Sequence, residues 1–157
     1  MSNISKFDGD ALYTAHAHVE GGRNGHVVSR DDNGNDNHRI EMDLRLPKSM
    51  GGTGEGSNPE ELFAAGYAAC FEGAVRFVAG QKKINAEKAS VTSSVSIGKR
   101  QESGFAIRAK LDVSLPGVDD AVAKEIVQYA HEHVCPYSHA TRGNIDVAIS
   151  VNGQSVV

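Results

Sequence analysis

This chain lacks most of what would mark a secreted, membrane-embedded or nucleic-acid-binding protein. Among 157 residues there are two cysteines, no tryptophan and four prolines. Two cysteines are too few for the disulfide framework of a small secreted domain. Sixteen basic residues face twenty acidic ones, a net charge of -4, so there is no electrostatic footprint for nucleic acid or an anionic membrane. The start, MSNISKFDGDALYTAH, has no basic segment followed by an apolar core, and no signal peptide is expected. No apolar run is read as approaching the roughly 18–20 residues of a membrane span. The expected location is the cytoplasm. Neither a repeat nor a long linker divides the chain, which is read as a single domain over 1–157 with about ten flexible N-terminal residues. At 39% hydrophobic and 23% charged residues, the composition is that of a folded protein.

Cys70 and Cys135 are sixty-five positions apart. A reducing compartment disfavours a permanent disulfide between them. They are therefore either small buried hydrophobes or redox-active thiols, and their surroundings must decide.

The first third of the chain is strand-like and broken by turns. Leu12–Val19 reads as a strand, and Gly21-Gly22-Arg23-Asn24-Gly25 as the turn before a second strand near His26–Ser29. The polar stretch Arg30–His38 predicts an exposed loop. Ile40, Met42, Leu44 and Leu46 then alternate with charged residues in a third strand. Gly51-Gly52-Thr53-Gly54-Glu55-Gly56 lacks the Gly-Lys-Ser/Thr ending of a phosphate loop and reads as a flexible connection.

A helix signal follows. Asn58 suits the N-cap, Pro59 the first helical position, and Glu60 and Glu61 the positive helix start. From Leu62 to about Gly80 the sequence is apolar nearly all round, which predicts a central helix or one buried between subunits. Two alternating strands, Val91–Ile97 and Phe105–Leu115, are joined by a loop at Gly98–Gly104. Asp119 or Asp120 caps a second helix whose stripe is Val122, Ile126, Ala130 and Val134. Pro136 ends it, and Ile145–Val151 is a last strand. The predicted class is α+β, with antiparallel sheets around a long central apolar helix and a second helix.

Cys70 falls mid-helix, far from the positive end, so a thiolate there needs another source of stabilisation. An arginine is the preferred cation. Arg23, Arg45, Arg76 and Arg142 are the options; Arg76 points away by helical rotation, whereas Arg23 sits in a glycine-rich turn free to swing. Cys135 is read as lying at a helix C-terminus, where the dipole disfavours a thiolate and suits a resolving thiol. His131, Cys135 and His139 have metal-ligand spacing with His133 nearby, but Pro136 interrupts the helix they would share, and no metal site is assigned.

Two long motifs carry a family resemblance. Asn58-Pro59-Glu60-Glu61-Leu62-Phe63-Ala64-Ala65-Gly66-Tyr67-Ala68-Ala69-Cys70-Phe71 resembles the first signature of the OsmC family. Its Gly66–Phe71 wording is similar to the organic hydroperoxide resistance subgroup. Val134-Cys135-Pro136-Tyr137-Ser138 and Ala140–Ile145 resemble that subgroup's second signature, while Leu12–Ala15 and Gly21-Gly22-Arg23 resemble its N-terminal part. The resemblance runs from about residue 11 to residue 151.

The resemblance implies an OsmC-like fold, an intertwined homodimer and reduction of organic hydroperoxides to alcohols. It implies no bound cofactor, with electrons supplied by dihydrolipoamide or lipoylated carrier proteins. By motif, Cys70 is the peroxidatic cysteine, Cys135 resolves it, Arg23 activates the thiolate and Glu60 orients Arg23. Phe63, Phe71, Phe77 and Met50 are the expected substrate-lining residues. Glu60 and Cys70 are ten residues apart, about 15 Å on a straight helix. For both to reach one guanidinium, either the helix start bends away or a second subunit completes the site. The segment Ala130-His131-Glu132-His133-Val134-Cys135 also contains one residue more than the family's usual pattern, and His139 stands where asparagine is more usual.

Overall fold

The computed structural model describes residue 7 and residues 9–31 and 33–157. Most of the N-terminal stretch expected to be flexible lies outside these residues. The described chain forms two compact units, residues 1–58 and 59–157.

In the first unit three strands, β1 (His16–Glu20), β2 (His26–Arg30) and β3 (Asp36–Asp43), form an antiparallel sheet in that order. β1 starts later than the apolar pattern suggested, and β3 starts earlier. The loop expected over Arg30–His38 is a tighter turn, because Asp31 folds it locally. The Asp31 carboxylate accepts from the backbone N–H groups of Asn33 and Asn35 at 2.9 and 2.8 Å, the usual asparagine/aspartate way of building a turn.

The glycine-rich segment is an ordered turn, not a flexible connection. Gly52 and Gly54 donate to the carbonyls of Pro47 and Leu46, each at 3.0 Å. A Cβ on Gly52 would lie 2.0 Å from the Leu46 carbonyl oxygen, so glycine is required there by close backbone approach.

The second unit begins with α1 (Pro59–Gln81), an uninterrupted helix. β4 (Ser90–Lys99) and β5 (Phe105–Ser114) form the expected hairpin. α2 (Asp120–Tyr129) is capped by Asp119, whose side chain accepts from the N–H groups of Ala121 and Val122. A wider π-type turn over Ala130–Val134 follows, then α3 (Pro136–Thr141), β6 (Val147–Val151) and β7 (Gln154–Ser155). The sheet order is β4-β5-β6-β7.

Two features depart from the sequence reading. β5 and β6 pair in parallel, so the sheet is mixed; the intervening helices return the chain across the sheet, as a parallel connection requires. β7 is an additional strand. Asn152 and Gly153, with φ of 48° and 81°, make the turn that folds β7 onto β6, and Asn-Gly is a strong hairpin signal.

The core is built from Tyr67, Phe71, Val75 and Val78 of α1, Leu111 and Val113 of β5, Ile126 and Val127 of α2, and Ile149 and Val151 of β6. Burying each such side chain is worth ~1.5–3 kcal/mol. By length and composition α1 is apolar enough to cross a membrane, contrary to the expectation that no apolar run approaches such a span. Here it is the core helix of this unit, with Tyr67 and Phe71 fully buried and an exposed Glu72–Arg76 ion pair on another side. Its apolar surface is not all used within this chain: Ala65, Ala69, Gly73 and Phe77 form an exposed stripe.

Candidate active site

The second helix does not end the segment that carries Cys135; it hands over to another. Pro136 has its φ preset for a first helical position, and Cys135 is the N-cap of α3, its sulfur accepting the Ser138 backbone N–H at 3.5 Å. This corrects the expectation of a helix C-terminus. Cys135 Sγ therefore faces the Ser138 backbone donor at the start of α3.

The π-type turn just before it is closed by the Cys135 N–H donating to the Ala130 carbonyl at 2.9 Å. Such a turn holds one residue more than a regular helical turn between donor and acceptor. Arg142, one of the candidate cations, donates to the His131 carbonyl and so ties this turn to the end of α3.

Cys135 Sγ lies 3.5 Å from Cys70 Sγ, although the residues are far apart in sequence. Cys135 is buried and Cys70 half-buried, and both are free thiols. Burial pushes the Cys70 thiol up to about 11; the Tyr137 backbone N–H opposes this, while Cys135 adds to it. Successive amides at the start of α3 thus serve the two sulfurs, Tyr137 N–H for Cys70 and Ser138 N–H for Cys135. At neutral pH a thiol at that value is ionised in only about one molecule in ten thousand. The backbone alone does not make Cys70 a nucleophile.

Aromatic side chains wall the pair. Tyr67 stacks near Phe63, Phe71 and Tyr137 with ring centroids 6.1, 6.3 and 5.7 Å away. Gly66 makes room for this arrangement: a Cβ there would lie 2.9 Å from Tyr137 Oη. Beside Tyr137 runs an apolar groove of about 610 Å³, lined by Leu62, Phe63, Ile107, Tyr137, Ala140 and Ile145 among others.

Behind Cys135 lies a buried polar cluster. His131 Nδ1 is 2.9 Å from Ser138 Oγ, which is 3.0 Å from Tyr67 Oη, itself 3.2 Å from Thr141 Oγ1. Burial, then the nearby Arg142, hold His131 below its ordinary value, so it is neutral at pH 7. In the sequence His131 stood out only through metal-ligand spacing, and Ser138 and Tyr67 only as parts of the two motifs. Their one common signal was buried-type polar residues set in otherwise apolar or motif-dense segments. Among the described residues no group of three His, Cys, Asp or Glu side chains is placed to hold a metal ion.

The other expected residues are placed as follows. Phe63 lines the groove. Phe71 is fully buried in the core and acts as a packing residue. Phe77 is 56% exposed, two helical turns beyond Cys70. Glu60 is in the first turn of α1, and because that helix is continuous from Pro59 it does not bend away before Cys70.

Arg23 and Met50 belong to the first unit. Arg23 occupies the short 3-10 turn Gly22–Asn24, and Met50 ends another at Lys48–Met50. The Arg23 turn is well anchored. Arg45 donates to the carbonyls of Asn24 and Gly25 at 3.3 and 3.1 Å, and the Asn24 side chain accepts from the Leu46 N–H at 3.0 Å. Arg45 is thereby committed to backbone carbonyls. Arg76 is paired with Glu72 and donates to the Glu87 carbonyl.

Residues 52–150 match the OsmC-like protein family model. An organic hydroperoxide resistance protein of Xanthomonas axonopodis pv. citri is 48% identical over 142 residues, 89% of this chain and 94% of that protein. A solved structure of a putative organic hydroperoxide resistance protein from Vibrio cholerae, with captopril bound in one of its active sites, is similar at a TM-score of 0.84. It is 43% identical, with 93% of this chain and 96% of that chain covered. The OhrB structure of Bacillus subtilis is similar at a TM-score of 0.77 and 42% identity, covering 90% and 99%. The chain belongs to the OsmC-like family, within its organic hydroperoxide resistance group.

Proposed function

We propose that this protein is a thiol peroxidase that reduces organic hydroperoxides to alcohols and so protects a cell against peroxide stress. The observation that carries the proposal is the pair of free thiols 3.5 Å apart, one half-buried and one buried. The relatives named for organic hydroperoxide resistance support the choice of substrate class.

In the first step the Cys70 thiolate attacks the distal oxygen of ROOH. The O–O bond breaks, ROH leaves after taking a proton, and Cys70 becomes a sulfenic acid. Cys135 then attacks Cys70 Sγ, forming the disulfide and releasing water. A dithiol reduces that disulfide by exchange and is itself oxidised. We assign dihydrolipoamide, free or on a carrier protein, as this reductant, and the reducing cytoplasm as the location.

Arg23 is assigned as the cation that ionises Cys70. A guanidinium about 4 Å from the sulfur contributes ~4 kcal/mol at an effective dielectric of about 20, near a thousandfold in thiolate population. That magnitude is what a thiol held near 11 requires. The apolar groove beside Tyr137 favours alkyl or aryl hydroperoxides over hydrogen peroxide.

Glu60 is assigned to orient Arg23, and its separation of about 15 Å from Cys70 along α1 favours a site completed by a second copy of this chain. The exposed Ala65, Ala69, Gly73 and Phe77 stripe supports a homodimer in which two α1 helices pack together.

Steady-state turnover with dihydrolipoamide, glutathione and thioredoxin tests this reading, using cumene hydroperoxide and hydrogen peroxide in parallel. Fast turnover is expected only with dihydrolipoamide and cumene hydroperoxide. No turnover with any dithiol would overturn the enzymatic reading in favour of a stoichiometric redox sensor.

A further inference from the structure

The polar cluster behind Cys135 permits one arrangement of its protons. Thr141 Oγ1 lies 2.9 Å from the Tyr137 carbonyl oxygen and 3.2 Å from that of Ser138. Carbonyls only accept, so Thr141 spends its single proton on them. It therefore accepts from Tyr67 Oη, 3.2 Å away. With that proton committed, Tyr67 Oη accepts from Ser138 Oγ at 3.0 Å. Ser138 has no second proton, so its Oγ accepts from His131 Nδ1 at 2.9 Å. All four side chains are buried; reversing any link would set two lone pairs against each other with no solvent to relieve them.

The chain runs His131 Nδ1–H to Ser138, to Tyr67, to Thr141, and ends on the Tyr137 carbonyl. That carbonyl belongs to the same peptide group as the Ser138 N–H, which points at Cys135 Sγ from 3.5 Å. Hydrogen bonds in series polarise one another in a low-dielectric interior. Withdrawal at the carbonyl strengthens the N–H as a donor.

We infer that His131 is a positioning residue for the resolving step. It starts a directional hydrogen-bond chain that holds and polarises the Tyr137–Ser138 peptide against Cys135. The inference rests on the reading that Cys135 resolves a Cys70 sulfenic acid. In that step the Cys135 thiol loses its proton and its sulfur attacks Cys70 Sγ. The S–O bond then breaks, and the departing hydroxide leaves with the proton as water. A donor on Cys135 Sγ stabilises the thiolate that makes the attack. The π-type turn over Ala130–Val134 and the Arg142 bond to the His131 carbonyl fix the histidine at the head of the chain.

The proton arrangement is tested on the reduced wild-type protein without any peroxide, by nitrogen-15 NMR of the histidine rings. His131 is expected as the neutral Nδ1–H tautomer with a slowly exchanging ring proton. A His131 protonated on Nε2 alone would overturn the chain, whatever the peroxidase assays show.

The kinetic role is tested by single-turnover oxidation with one equivalent of cumene hydroperoxide. Sulfenic acid is trapped with dimedone and the disulfide is followed by mass spectrometry. Tyr67→Phe, His131→Phe and the near-isosteric Thr141→Val are expected to slow disulfide formation about five- to tenfold, as loss of one hydrogen bond implies. In His131→Phe, formation of the Cys70 sulfenic acid is expected to change less than about twofold, since no link of the chain is lost at that sulfur. His131→Asn, which retains an N–H donor, is expected to recover most of the rate. Disulfide formation at the wild-type rate in folded Thr141→Val and Tyr67→Phe would overturn the inference while leaving the peroxidase reading intact.

Discussion

Cys70 Sγ and Cys135 Sγ stand 3.5 Å apart, joining the middle of α1 to the first turn of α3. A disulfide needs about 2.05 Å between sulfurs, so a modest movement of either side chain closes the bond. The sulfurs have unequal surroundings: one opens partly to solvent, and the other is sealed behind Ser138 and the aromatic wall.

The activation of Cys70 makes a pH prediction. Burial holds the thiol up to about 11. Wild-type Cys70 is expected to be alkylated by iodoacetamide with an inflection near pH ~8, given the guanidinium contribution. In Arg23→Ala the inflection is expected to move up toward 11, with peroxide reduction at pH 7 slowed at least about a hundredfold. Superimposable alkylation profiles would remove Arg23 from the mechanism.

His131 predicts acid sensitivity of the fold. Burial and then Arg142 keep its folded-state pKa below the ordinary 6.5. Below 6.5 the unfolded chain takes up a proton that the folded chain refuses. The stabilisation from a neutral His131 is therefore present above that value and lost as pH falls through the folded-state pKa. His131→Gln should flatten the fall in urea midpoint between about pH 7 and 5. Equal slopes for wild type and variant would contradict the burial argument.

Phe63 lines the groove, whereas Phe71 packs in the core. Phe71→Ala is expected to cost ~3–5 kcal/mol of stability by opening a cavity in the core, measured by chemical denaturation. Phe63→Ala, on the groove wall, should raise KM for cumene hydroperoxide several-fold and cost less stability. If both variants lose stability equally and Phe63→Ala leaves KM unchanged, the groove does not take substrate.

Gly66 predicts a coupling between α1 and the segment after Cys135. Gly66→Ala puts a methyl group 2.9 Å from Tyr137 Oη. The ring must shift, at a cost of ~1–3 kcal/mol that outweighs the ~1 kcal/mol alanine gains over glycine in a helix. A lower Tm is expected. A Tm at or above wild type would show that the approach is not tight.

Much of this architecture was legible in residue patterns. The Asn58-Pro59-Glu60-Glu61 start and the apolar run after it fixed α1, and parity in Phe105–Leu115 fixed β5, because helix and strand periods are local. The parallel pairing of β6 was hidden, since strand direction depends on where the intervening helices return the chain. Pro136 was ambiguous for a related reason: proline both ends one helix and starts another. Cys70 and Cys135 were legible through long motifs. The His131–Ser138–Tyr67–Thr141 chain was not, because four hydroxyl and imidazole groups converge only after α1, the π-type turn and α3 have packed.

The most direct test of the central claim counts peroxide consumed per subunit by Cys135→Ser with excess dihydrolipoamide. The account predicts that wild type turns over many times, Cys70→Ser consumes none, and Cys135→Ser consumes about one equivalent and stalls as the sulfenic acid. Sustained turnover by Cys135→Ser at the wild-type rate would contradict it.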